Sequence, residues 1–266
     1  MDSCTTSPTH CRCVLLQLAY DGSAYHGFAR QNGLVTVAGD LTDAIATIDP
    51  VASAIRATSR TDAGVHARGQ LVAFDTDRTL GARNWVLALA QRLPDSISPR
   101  RAMLVEPGFE PRRHVQWKWY RYTLLLDRLR DPLMRYAWRI EQPFNVIAAR
   151  QEASLLVGTH DFRAFRSSED MRQCTVRTIL EANVELDKDR RALHIDVRGD
   201  GFLHNMVRII AGTIADVGRG RVRAGAVARA LESGKRNELG MTAPANGLCL
   251  MHVQLREPID ADQSWP

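Results

Sequence analysis

The stretch Ser59-Arg60-Thr61-Asp62-Ala63-Gly64-Val65-His66-Ala67 brings a guanidinium, a carboxylate and an imidazole close together in the chain. A neighbouring cation favours the charged form of an acid. Asp62 beside Arg60 can therefore serve as a nucleophile, a base or an electrostatic partner. Gly64 admits a backbone turn that other residues resist. The competing reading is an Asx-turn, with Asp62 bonding only its own backbone. His66 can orient Asp62 or a ligand, although a lone histidine is more often a structural hydrogen-bonder.

Two elements must hold this stretch. Residues 52–58, with Ile55 and small side chains, read as a strand, and residues 69–76 as another, so Asp62 falls on a loop between β elements. Upstream, residues 14–20 form an apolar strand closed by the turn Asp21-Gly22-Ser23. A polar loop follows over 24–32, carrying His26, Arg30 and Gln31. Apolar residues at helical spacing predict helices over 37–48 and 82–93, each stopped by a proline, and residues 102–105 predict a short strand.

Pro107-Gly108 marks a boundary. Beyond it the pattern predicts a strand over 119–126 and a helix over 146–157 ending at Gly158. A hairpin follows, 179–186 with 192–197, around Asp187-Lys188-Asp189. Helices are expected over 206–217 and 227–231, and a closing strand over 250–255. His160-Asp161 reads as a cap after Gly158 rather than a catalytic dyad. The whole is an α+β chain: a leader over 1–13, an N-terminal lobe over 14–107, a C-terminal lobe over 108–256 and a tail over 257–266.

With 45% hydrophobic and 24% charged residues in 266, the composition is that of a soluble globular protein. The chain has no apolar run long enough for a membrane helix, and residues 1–12 lack a secretory apolar segment, so a cytoplasmic protein is expected. Five cysteines, scattered and odd in number, do not suggest a disulfide framework. Cys4, His10, Cys11 and Cys13 raise a metal question, but Cys-x-Cys lacks structural zinc spacing, so no metal is expected.

The formal net charge is +5, which permits a polyanionic partner. Arg100, Arg101, Arg112, Arg113, Lys118, Arg121, Arg128 and Arg130 crowd one stretch with Trp117, Trp119, Tyr120 and Tyr122. Cations interleaved with flat rings suit a phosphate backbone and unstacked bases. The alternative is a solvated face over core aromatics.

Tyr20-Asp21-Gly22, the Arg60–Ala67 block, Tyr120-Arg121-Tyr122, His160-Asp161-Phe162, Gly201-Phe202-Leu203-His204-Asn205-Met206-Val207-Arg208 and Ala243-Pro244-Ala245-Asn246-Gly247-Leu248 stand in one order along the chain. Together they resemble the TruA family of tRNA pseudouridine synthases, over about residues 15–255. The resemblance implies a pseudouridine synthase-like fold: two α/β lobes with mostly antiparallel sheets and an active-site cleft between them. It implies Asp62 as the catalytic aspartate, Tyr120 as the ring that stacks on the target uracil, and Arg60 and Arg208 in the same cleft. With them we assign Arg30, Lys118 and Arg121 to substrate binding. The implied partner is tRNA, met at its anticodon stem-loop by a homodimer that uses no metal or organic cofactor.

The chemistry fits independently. Turning a uracil from an N1 to a C5 linkage needs neither a redox group nor a phosphate loop. It needs one carboxylate and a base taken out of its stack, at a cost of roughly a few kcal/mol. Departures from the family pattern are Ser59 for Gly, Phe28 for Trp, and Ala29 and Ala38 for Gln. The last three touch segments that the family uses to hold tRNA. The rival readings are a non-catalytic RNA-binding protein and an Asp/His hydrolase; the latter lacks a Gly-x-Ser-x-Gly elbow or spaced carboxylate pair.

Overall fold

The computed structural model describes residues 11–141 and 143–256. The expected leader, apart from residues 11–13, and the expected tail lie outside the described residues. The chain divides into two compact units, one ending at Val115 and resumed from Val253, the other Gln116–His252.

In the first unit the apolar run of strand β1, Arg12–Tyr20, is flanked on both edges. It pairs antiparallel with β3, His66–Thr76, and with β4, Ile97–Val105. Cys13, counted with the leader in the sequence reading, is a buried residue of β1. Helix α1, Val37–Ala46, starts where the Thr36 hydroxyl accepts from Gly39 N, a side-chain N-cap. Helix α2, Ala82–Ala90, buries Trp85, Val86 and Leu89. The Trp85 ring meets Phe74 of β3 edge to face at 5.1 Å. Burying each such ring contributes about 2–3 kcal/mol.

The strand expected over 52–58 shrinks to β2, Arg56–Ala57, opposite Ala73 and Val72. Its first half is diverted because the Ser53 hydroxyl accepts from Asp75 N at 2.7 Å. A side chain thus takes a ladder donor, the competition expected of serine.

The second unit opens on β5, Val115–Leu125, whose first residue still belongs to the other unit. β5 pairs parallel with the short β6, Trp138–Arg139. Helix α3, Val146–Ser154, leads to β7, Gly158–Asp161. The hairpin of β8, Val176–Asp187, and β9, Ala192–Gly199, is antiparallel, and β9 pairs antiparallel with β5. Alternation assigns the faces of that pair. Tyr120, Tyr122 and Leu124 stand opposite Val197, Ile195 and Leu193, all buried. Trp119, Arg121 and Thr123 stand opposite Arg198, Asp196 and His194 on the other face.

Helix α4, Met206–Gly218, is buried along nearly its whole length, as core rather than an open face. Helix α5, Ala226–Ser233, has no side-chain N-cap bond of its own. Buried Glu152 of α3 accepts from Gly225 N and Val227 N instead. Strand β10, Leu248–Leu255, closes the chain. The architecture is a mixed α+β fold with mostly antiparallel strands, as the sequence predicts.

Candidate active site

Asp62 lies on a loop whose backbone is fastened from several sides, every anchor coming from within the first unit. At its start, Ser59 O accepts from Gln70 Nε2 at 2.7 Å. Gln70 Oε1 accepts in turn from the Thr58 hydroxyl at 2.9 Å. Thr61 O accepts from Phe28 N at 3.0 Å, and the Thr61 and Tyr20 hydroxyls are hydrogen-bonded at 2.8 Å.

Beyond Asp62 the chain turns: Val65 N donates to Asp62 O at 3.1 Å, and Gly64 N to Tyr25 O at 3.3 Å. Gly64 has φ +77°, the left-handed region that favours glycine. The turn end rests on Gly22, where an added Cβ would lie 2.0 Å from Val65 O. Tyr25 is itself held, its hydroxyl bonded to Asp40 and to Ser96. The segment from Tyr20 to Phe28 is therefore a cradle for the Asp62 turn.

The Asp62 side chain is half-buried, while Arg60 and Arg30 are exposed. His66 is buried and opens β3 rather than ending the loop. Its Nδ1 accepts from Gly22 N at 3.1 Å and lies 3.2 Å from Asp21 Oδ1. A nitrogen that accepts from Gly22 carries no proton for Asp21, so we read the second contact as proximity. His66 is a structural hydrogen-bonder that ties β3 to the cradle.

In the second unit Tyr120 is 8% exposed, its ring edge to face with Phe202 at 5.1 Å. Lys118 shares its face of β5 by alternation. Arg121 points to the opposite face, where its guanidinium grips Asp196 with two bonds of 2.9 Å. That fork engages its charge, and donation to Asp196 raises the pKa of Arg121 despite burial. Trp119 Nε1 donates to the same carboxylate at 2.6 Å, and Arg198 lies over both Trp117 and Trp119. The cation–aromatic stretch is thus two faces, one presenting Tyr120 and Lys118, the other an ion-paired tryptophan ladder.

Arg208 of α4 is half-buried. It donates through Nε to Ala243 O at 2.8 Å and through Nη1 to Asn205 Oδ1 at 2.7 Å. The Ala243–Gly247 block runs beside it, with Pro244 O accepting from Tyr122 at 2.8 Å. Burial pushes the Tyr122 hydroxyl well above the ordinary tyrosine value, a neutral donor in that contact.

His160 and Asp161 are residues of β7, not a cap following α3, and they form no dyad. His160 Nε2 bonds Val157 O at 3.1 Å, while Asp161 takes Arg163 and the Thr175 hydroxyl. Among the described residues no group of three or more His, Cys, Asp or Glu is arranged to hold a metal ion. The cradle residues Tyr20, Tyr25 and Gln70 escaped prediction as anchors. Only Tyr20-Asp21-Gly22 had left a trace, as a motif.

A family model described as tRNA pseudouridine synthase matches residues 153–255. A tRNA pseudouridine synthase A of Citrifermentans bemidjiense is 42% identical over 251 residues, 94% of this chain and 100% of the relative. One from a Geobacter species is 43% identical over 248 residues, 92% and 100% of the two chains. One from Shouchella clausii is 40% identical over 250 residues, 93% and 95%. The class so defined is that of the tRNA pseudouridine synthases, which are isomerases. Within it, this chain belongs to the tRNA pseudouridine synthase A, or TruA, family.

Proposed function

We propose that this tRNA pseudouridine synthase acts on uridines of the anticodon stem-loop, with Asp62 as nucleophile. The reaction breaks the N1–C1′ bond, turns the uracil and joins C5 to C1′; C5 loses its proton and N1 gains one, so no atom enters or leaves the nucleotide. A single carboxylate suffices if its position is fixed, because a misplacement of about 1 Å can cost roughly a hundredfold in rate. The observation that carries the reading is the fastening of the Asp62 turn to Gln70, Phe28, Tyr20 and Tyr25. A loop so held supports a catalytic group rather than a mobile connection.

Tyr120 is the stacking partner of the target base, and Arg60 the group that fills the vacated stack and positions the nucleotide. Arg208, Lys118 and Arg30 complete the substrate contacts. Arg121 supports them from the opposite face of β5 through Asp196 rather than by touching the base. Arg100, Arg101, Arg112, Arg113, Arg128 and Arg130 are exposed and supply the sequence-independent attraction for phosphates. A cytoplasmic homodimer completes the proposal, carried by the family resemblance. Light scattering of the purified protein should give twice the mass of one chain.

The test is turnover against binding. Asp62→Asn should abolish pseudouridine formation and leave tRNA affinity intact, whereas a variant that still turns over sinks the assignment. Wild-type affinity should fall steeply with salt; a flat salt dependence would remove the arginines from the interface.

A further inference from the structure

Phe202, whose ring meets Tyr120 edge to face, stands in the bend between β9 and α4, and that bend is gripped by a different loop. Arg172 Nη1 donates to Phe202 O at 2.9 Å. Two residues on, His204 N donates to Asp170 Oδ2 at 2.8 Å, and His204 O accepts from Ser167 N at 3.0 Å. Asp170 joins these bonds into one clamp, its Oδ1 accepting from Arg172 N at 3.1 Å and Nε at 3.0 Å. Arg166 braces the loop from behind through Asp170 O and Arg172 O.

The Asp170 side chain is almost wholly buried. Burial disfavours its charge, but donation from His204 N and Arg172 outweighs burial and holds the carboxyl below its ordinary range. The bend cannot relax easily elsewhere: Asn205 already adopts φ +62°, a conformation uncommon for a residue other than glycine. The tip of the Phe202 ring rests over Gly199, where an added Cβ would lie 3.2 Å from Cζ. Gly199 faces Lys118 of β5 in register, two residues before Tyr120 on the same face of the strand. Phe202 is thus wedged between a strand floor and the Tyr120 ring, and the backbone is held from its own carbonyl to His204.

We propose that Asp170 and Arg172 are positioning residues for the reaction: through Phe202 they set the plane of the Tyr120 ring, and with it the rate of the chemical step rather than the affinity for tRNA. The proposal rests on the reading of Tyr120 as the stacking partner of the base. Aromatic pairs prefer a defined edge-to-face geometry, so losing the Phe202 ring loosens the geometry of stacking while leaving the phosphate contacts in place.

The experiment measures single-turnover rate, tRNA affinity and thermal midpoint of the full-length protein for Phe202→Leu, Arg172→Ala, Arg172→Lys and the double variant Phe202→Leu/Arg172→Ala. The Arg172 side chain is 45% exposed, so its truncation leaves the core intact and serves if Phe202→Leu fails to fold. Each truncation should slow the single turnover about threefold to tenfold, the span of an edge-to-face ring pair. Affinity should stay within about twofold of wild type, as expected when only a transition-state interaction is lost. The double variant should be no slower than Phe202→Leu alone, and Arg172→Lys, which keeps a donor for Phe202 O, should recover part of the rate. Unchanged turnover in Phe202→Leu or Arg172→Ala, multiplying effects in the double variant, or a loss that follows affinity would overturn the proposal. Tyr120→Ala separates the two levels. Full turnover in that variant removes the stacking reading itself, whereas a dead Tyr120→Ala beside an unaffected Phe202→Leu removes only the clamp.

Discussion

Replacing Gln70 by methionine tests the anchoring of the Asp62 loop at its most buried point. Gln70 is 0% exposed, and methionine fills a similar volume without the amide. The Thr58 hydroxyl loses Gln70 Oε1 but keeps Leu71 O at 3.2 Å, so that half of the change is mild. Ser59 O loses the Gln70 donor at 2.7 Å inside the protein, and stranding such a buried group costs about 1–3 kcal/mol. For a chain of this size each kcal/mol lowers the melting midpoint by about 2–4 °C, so a fall of about 2–12 °C is expected. Because Ser59 leads directly into Arg60-Thr61-Asp62, turnover should fall by at least about tenfold, short of the roughly hundredfold of a full 1 Å displacement. Thermal melting and single-turnover pseudouridine formation, measured on the same preparation, check both figures. A variant that melts lower but turns over at the wild-type rate would refute the link between the clamp and the carboxylate. One unchanged in both would refute the hydrogen-bond account itself.

Ser59 itself carries a buried hydroxyl with no hydrogen-bond partner among the described residues, so Ser59→Ala should raise stability by up to about 1 kcal/mol in urea denaturation and keep activity. Burial disfavours the Asp75 charge, but Arg56 at 2.7 Å and Gly108 N at 2.8 Å outweigh it and hold the carboxyl below its ordinary 3.8. A depressed folded pKa stabilises above the unfolded value and is lost as pH falls through the folded one. Asp75→Asn should therefore cost about 1–3 kcal/mol at pH 7, with the gap to wild type closing in urea titrations carried below the ordinary carboxylate value. Burial, aided by Asp75, pushes the Cys13 thiol up to about 12, so at neutral pH iodoacetamide should label exposed Cys11 and Cys174 and spare Cys13; rapid labelling of Cys13 in the folded protein would contradict its place in β1.

Much of the fold was legible because long periodic segments announce themselves: β1, α1, α2, the β8–β9 hairpin and α4 fall where apolar spacing predicts them. What escaped was short or decided by side chains far away in sequence. β7 is a glycine and three polar residues with no alternation to read, and β2 keeps only Arg56 and Ala57 of the expected 52–58, with the Ser53 hydroxyl taking the Asp75 N donor. The site was legible as types and order, not as orientation. The sequence places Lys118, Tyr120 and Arg121 in one binding stretch, yet strand alternation alone sends Arg121 to the other face, where Asp196 waits 75 residues on. Gln70 is one of several polar residues in β3, and only the folded chain reveals that Ser59 O is its partner. Phe202 lies inside the Gly201–Arg208 motif, whose spacing says nothing of an edge-to-face contact with Tyr120.

The central claim is that the carboxylate of Asp62 carries out uridine isomerisation in tRNA. Its most direct test is nucleotide-resolution pseudouridine mapping on unmodified tRNA transcripts incubated with the wild-type protein and with Asp62→Ala. New pseudouridine confined to the anticodon stem-loop, and absent with the variant, is the predicted result. Product elsewhere in the tRNA would contradict the target, product with the variant would contradict the nucleophile, and tight, salt-sensitive binding with no product at all would leave a binding protein in place of an enzyme.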